Sequence, residues 1–125
     1  MKKIIFLLVL GAIGFSTTTT AQKAINSVHF FDIKDGAMEK NYIASLKEIN
    51  AIMKEIGFPK NYYSYSKLAA SDTNSIYRNC TIGHWTSEKD YKTIHDHPKF
   101  KAWSNKNKDV LLMSNQLYRR FYDAE

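Results

Sequence analysis

Apolar residues recur at Met38, Tyr42, Leu46, Ile49, Met53 and Ile56, at steps of four, four, three, four and three. That period lines one face of a helix over residues 37–56. Lys40, Lys47, Glu48, Lys54 and Glu55 fall mostly off that face. Gly57 and Pro59 supply the stop. On both sides of this helix the period changes to two. "SVHFFDI", residues 27–33, is short, aromatic and β-branched and reads as a strand, with the turn-forming "KDG" after it. "NYYSYSKL" alternates aromatic and polar residues as a second strand, and "AASDTNS" is a loop. "IYRNCTIGHW" is a third strand, with Ile76, Arg78, Cys80, Ile82 and His84 on one face and Tyr77, Asn79, Thr81, Gly83 and Trp85 on the other.

The next segment carries both tryptophans and three of the four histidines, in "GHWTSEKDYKTIHDHPKFKAW", residues 83–103. Ser87 with Asp90 three residues on forms a cap, so a helix begins there. Pro98 breaks it, holds His97 away from helical dihedrals, and suits the first turn of a second helix. Phe100, Trp103 and Val110 share a face of that second piece, and "NQLYRRFY" closes the chain as a fourth strand. The order strand, helix, strand, strand, helix, strand defines an α+β, ferredoxin-like βαββαβ fold. Two right-handed crossovers make a four-stranded antiparallel sheet with helices on one face. Strands two and four nevertheless carry aromatics on both faces. Tyr62, Tyr63, Tyr65, Tyr118, Phe121 and Tyr122 cannot all fit under two helices. An uncovered aromatic sheet face calls for a partner surface, so a homodimer is expected.

Composition changes this picture mainly at the N-terminus. Lys2 and Lys3 precede an apolar run, Ile4 to Ile13, and the polar run Ser16 to Thr20 ends at Ala21. This is the pattern of a cleaved export signal over residues 1–21, with Thr19 and Ala21 as the small residues before cleavage. The apolar run is shorter than the ~18–20 residues that span a bilayer, so no stable membrane insertion is expected. Residues 22–125 then form one domain destined for the periplasm or beyond the cell. Loss of Lys2 and Lys3 lowers the formal charge from +6 to +4, and the remaining lysines are interspersed with acids. That is a solvated surface rather than a nucleic-acid stripe. Cys80 is the single cysteine, so no internal disulfide can form, and in its apolar run it reads as a small buried hydrophobe.

Histidines dominate the candidate chemistry. His84, His95 and His97, with Asp96, would make a metal site only if they converged, and their spacing matches no recognised zinc pattern. No metal and no cofactor is expected. There is no glycine-flanked serine elbow, phosphate loop or dinucleotide fingerprint either. An aromatic pocket has more support. His29 shares a strand face with Ser27 and Phe31, and it can line a cavity for a flat organic molecule with Tyr42, Tyr65, Trp85, Tyr91, His95 and Trp103. In that reading His29, His95 and Tyr65 are the candidate proton-transfer groups, and Tyr42, Trp85, Tyr91 and Trp103 hold a small apolar or aromatic ligand. The plain alternative is a set of core aromatics, preferred for Trp103 and Phe100.

The element order and "HWTSEKDYKTIHDHPKFKAW" resemble the dimeric α/β-barrel superfamily, particularly antibiotic-biosynthesis-monooxygenase-like proteins. Those often carry a tryptophan after the third strand, an acid-rich helix start, then a histidine and a "hP-F" element. The resemblance implies two ferredoxin-like subunits packed sheet against sheet, each enclosing an apolar pocket, with monooxygenase-like chemistry that needs no cofactor. Counted from Trp85 or from Pro98, the family's histidine position falls at Ile94, with His95 one residue on. One residue is about 100 degrees around a helix, so the direction of His95 decides the matter. "IGFPKNYYSYSK" and "FKAWSNKNKDVLLMSNQLYRRFY" show a weaker resemblance to sugar mutarotases of the same superfamily. In those, a histidine stands where Tyr42 does here, and the tryptophans are paired. The function expected is therefore binding of a small apolar or aromatic molecule, with monooxygenase-like or proton-transfer chemistry. The alternatives are a non-catalytic accessory or stress-related assembly protein and a mutarotase-like isomerase.

Overall fold

A computed structural model describes residues 22–69 and 76–124. The export signal expected over residues 1–21 lies outside the described residues. The elements run β1 (Ile25–Phe31), α1 (Gly36–Glu55), β2 (Tyr62–Lys67), β3 (Asn79–Trp85), α2 (Glu88–Asp96), α3 (Pro98–Lys106), α4 (Lys108–Met113) and β4 (Leu117–Tyr122). The sheet order is β2-β3-β1-β4 and all three pairings are antiparallel. This is the ferredoxin-like arrangement that the alternation of periods implies, with α1 to α4 on one face.

Local chemistry sets the boundaries. The Asp35 side chain caps α1 by accepting from the Ala37 amide at 2.8 Å. Gly57 ends the helix with φ 94°, in the left-handed region that glycine enters at little cost. Ser87 caps α2 through the Asp90 amide. His97 takes extended dihedrals (φ −67°, ψ 135°) before Pro98, and its own ring accepts from the Lys99 amide to start α3. The "HDH" segment is thus a joint between two helices. Three details differ from the periodicity. β1 begins and ends two residues earlier than residues 27–33. β3 starts at Asn79 rather than Ile76. The helix after Pro98 is two pieces, because Asn107 leaves helical geometry and its side-chain amide turns back onto the Trp103 carbonyl at 2.9 Å.

The inward sheet face is set by Ile25, Ser27, His29 and Phe31 of β1 and by Asn79, Thr81, Gly83 and Trp85 of β3, as their alternation requires. Gly83 has no room for a side chain. An added Cβ would lie 2.5 Å from Ser27 Oγ, 2.7 Å from the Trp85 ring and 2.8 Å from the Tyr63 ring. The missing side chain lets the Trp85 indole lie against the sheet, where its Nε1 donates to Ser27 Oγ at 3.0 Å. On edge strand β2, the Asn50 side chain of α1 binds both the amide and the carbonyl of Tyr63 and so occupies backbone groups that would otherwise template aggregation.

The core falls into two clusters. Ile49, Met53, Trp85, Ile94, Phe100 and Trp103 form one with Ile25, and Phe31, Tyr42 and Leu46 form the other. Of the strand aromatics, Tyr63, Tyr65 and Tyr118 turn inward under the helices, whereas Tyr62 and Phe121 stand on the opposite face, about half exposed. Tyr122 is on the helix side but at the sheet's edge, and is exposed.

Candidate functional site: a histidine-bearing aromatic cavity

Between the two core clusters a cavity of about 500 Å³ opens toward the α3–α4 joint. That volume is within the ~300–1,000 Å³ range of small-molecule sites. The sheet supplies the floor through Ser27, His29, Tyr63 and Tyr118. The helices supply the roof through Tyr42, Leu46, Tyr91, His95, Phe100 and Trp103. The described rim holds Ser104, Asn105, Lys108, Leu112 and Asn115.

His95 faces this cavity. Its ring lies 4.0 Å from that of Tyr91, 4.3 Å from Phe100 and 5.0 Å from Trp85, centroid to centroid. Ile94, at the position counted for the family's histidine, is instead fully buried in the core. His95 Nδ1 is 2.7 Å from the Tyr91 carbonyl oxygen, which only accepts, so Nδ1 carries the proton and donates it. Nε2 is left as the ring's proton acceptor. Burial holds the His95 pKa below the usual value, against smaller opposing contributions from that hydrogen bond and from Asp96. His29 sits on the floor with its ring 4.7 Å from Tyr118. Burial, then the charge that His95 would carry, lowers its pKa to about 4. Its Nδ1 is buried and has no hydrogen-bond partner among the described residues.

Two tyrosine hydroxyls complete the polar side of the cavity. Those of Tyr91 and Tyr118 approach to 3.5 Å, and the Arg120 guanidinium lies 5.7 Å from the Tyr91 ring centre. Desolvation raises the Tyr118 pKa well above the ordinary phenol value, so this hydroxyl stays protonated as a donor. Tyr42 also lines the cavity, and its hydroxyl donates to Thr81 Oγ1 at 2.8 Å. Trp103 is buried, lines the cavity, and donates from Nε1 to the Ser45 carbonyl at 2.9 Å. It serves as core and as wall together.

The remaining sequence candidates stand elsewhere. Trp85 is packed behind the lining, edge-on to Tyr63 and Tyr91, and buttresses His95. Tyr65 is not among the lining residues. Its hydroxyl donates to Glu39 at 2.9 Å and accepts from Asn79 Nδ2 at 2.6 Å, and burial and Glu39 push its pKa up to about 12. The three histidines of the metal alternative do not meet. His84 stacks on Tyr62 on the open sheet face, His95 lines the cavity, and His97 caps α3. No group of three or more potential ligands is gathered among the described residues. Sequence reasoning missed Tyr63 and Tyr118 as lining residues, although Tyr118 pairs directly with His29 across the sheet. It also missed the rim, which belongs to a helix break that no proline or glycine marks.

Fold and cavity together define a ferredoxin-like protein with an open, aromatic-lined pocket. No protein-family model and no curated protein matches the sequence. Solved structures do match. A hydroxynitrile lyase from Passiflora edulis superposes with a TM-score of 0.58 at 11% identity, over 84% of this chain and 96% of that one. A dimeric ferredoxin-like protein from Thermobifida fusca gives 0.56 at 13%, over 83% and 92%. A putative antibiotic biosynthesis monooxygenase from Bacteroides thetaiotaomicron gives 0.54 at 15%, over 83% and 90%. The chain shares the ferredoxin-like fold of these solved structures, which is the fold that the resemblance implied.

Proposed function

We propose that this chain is an exported, homodimeric enzyme that binds a small apolar or aromatic molecule in the cavity and moves a proton on it, with His95 as the base. The observation that carries the reading is His95 itself. It is a largely buried imidazole whose Nδ1–H is tied to the Tyr91 carbonyl and whose depressed pKa keeps Nε2 unprotonated at neutral pH. His29, also neutral, is a second acceptor across the cavity floor, and the Tyr118 hydroxyl is a donor for the oxygen on which charge develops. Likeness to a monooxygenase-like protein and to a lyase supports a pocket used for chemistry on small molecules. The open sheet face, with Tyr62 and Phe121 exposed on it, supports the dimer. The N-terminal pattern supports export.

Deuterium exchange at the activated carbon of 2-tetralone, an aromatic ketone, tests the chemistry by proton NMR in heavy water. The purified protein is expected to accelerate exchange over buffer by about 10²–10⁴-fold, and His95→Phe should abolish the acceleration while the variant still folds. The rate should fall as the pH drops below the ordinary histidine range, because protonated His95 has no free lone pair. Exchange no faster than in buffer, or equally fast in His95→Phe, contradicts the proposal.

A further inference from the structure

Among the described residues lining the cavity, Lys108 carries the single formal charge, and none is a carboxylate. Lys108 opens α4, is exposed, and is the one lysine among the described residues that lines the cavity; it has no ion-pair partner among the described residues. Ser104, Asn105 and Asn115 stand on the same rim and add hydrogen-bond donors. The other charge near the polar end of the cavity, Arg120 against Tyr91, is positive as well. The carboxylate that acts on His95, Asp96, is exposed and paired with Lys101 at 3.4 Å. Deeper in, the walls are aromatic and aliphatic and both histidines are neutral at pH 7. A neutral, apolar interior with a cationic, donor-rich rim matches one class of molecule.

We infer that the substrate is an amphipathic anion, an apolar or aromatic body carrying a carboxylate, and that Lys108 selects it by pairing with the carboxylate at the rim. A cation at the edge of a low-dielectric cavity acts on an anion more strongly than the same cation on an open surface. Orientation follows from the same contact. With the carboxylate held at the α3–α4 joint, the apolar body points inward toward His29 and His95. This assignment rests on the proposed binding role of the cavity and adds its charge preference.

Calorimetric titration of the purified protein with three matched probes tests it: 2-naphthoate, 2-naphthalenemethanol and 2-naphthylmethylamine at neutral pH. 2-Naphthoate should bind about five-fold tighter than the alcohol, the gain of a single partly screened ion pair, with the amine weakest. In Lys108→Met the acid-to-alcohol affinity ratio should fall to about one, while Lys108→Arg should keep it, and raising the salt should shrink it in the wild type. If the alcohol binds as tightly as the acid, or the ratio survives in Lys108→Met, the anion assignment is overturned while the cavity's binding role stands. If none of the three binds, both fall.

Discussion

His29 and His95 both line the cavity, and burial lowers the pKa of each. The folded state holds His29 at about 4, below the ordinary 6.5. The unfolded chain therefore takes up a proton between those values that the folded chain refuses. By linkage, the stability associated with neutral His29 is complete above about pH 6.5 and is lost as the pH falls toward 4. His95 acts in the same direction. In His29→Gln that loss is removed, so urea denaturation at pH 7 and pH 4.5 should show the variant less acid-sensitive than the wild type. An identical pH dependence in the two proteins would contradict the burial of a neutral His29. The direction of His29 was legible from strand alternation alone, since Ser27, His29 and Phe31 share a face. The direction of His95 was not legible, because a shift of one residue on a helix turns a side chain from core to cavity. Ile94 and His95 show both outcomes side by side.

At the scale of elements, the regular periods were readable and the breaks were readable only where proline or glycine made them. The long helix, the Ser87 cap and the Pro98 joint follow from side-chain chemistry that acts locally. The division at Asn107 depends on a side chain folding back onto the Trp103 carbonyl, which helical periodicity does not encode, and it creates the rim of the cavity. Gly83 shows how a strand position serves the site. Its empty side-chain space seats Trp85, and Trp85 supports His95. Gly83→Ala should therefore cost about 1–3 kcal/mol through overpacking against Ser27, Trp85 and Tyr63. Chemical denaturation reads that loss. A near-neutral effect would mean that the indole shifts at little cost, in which case its support of His95 is weak.

For the whole molecule, the sheet has one face roofed by helices and the other open. Cys80, Ile82 and His84 of β3 are half-buried on that open face, flanked by Tyr62 and Phe121. The sequence reading of a surplus of aromatics was right in kind, although Tyr63, Tyr65 and Tyr118 found places beneath the helices. Burial of the open face against a second copy is expected to give a dimer in light scattering at micromolar concentration. Ile82→Asp, with a charge at the centre of that face, should give a monomer. A wild-type monomer, or a dimer untouched by the substitution, would contradict sheet-to-sheet association.

The central claim is that the cavity between the helices and the sheet is a binding site for an apolar or aromatic molecule. Its most direct test is a calorimetric titration of the purified protein with 2-naphthol, beside a variant in which Ser104→Trp fills the rim. Saturable binding of one 2-naphthol per chain in the wild type, lost in the folded Ser104→Trp variant, is the expected result. Binding that never saturates, or that proceeds equally in the filled variant, would contradict the claim.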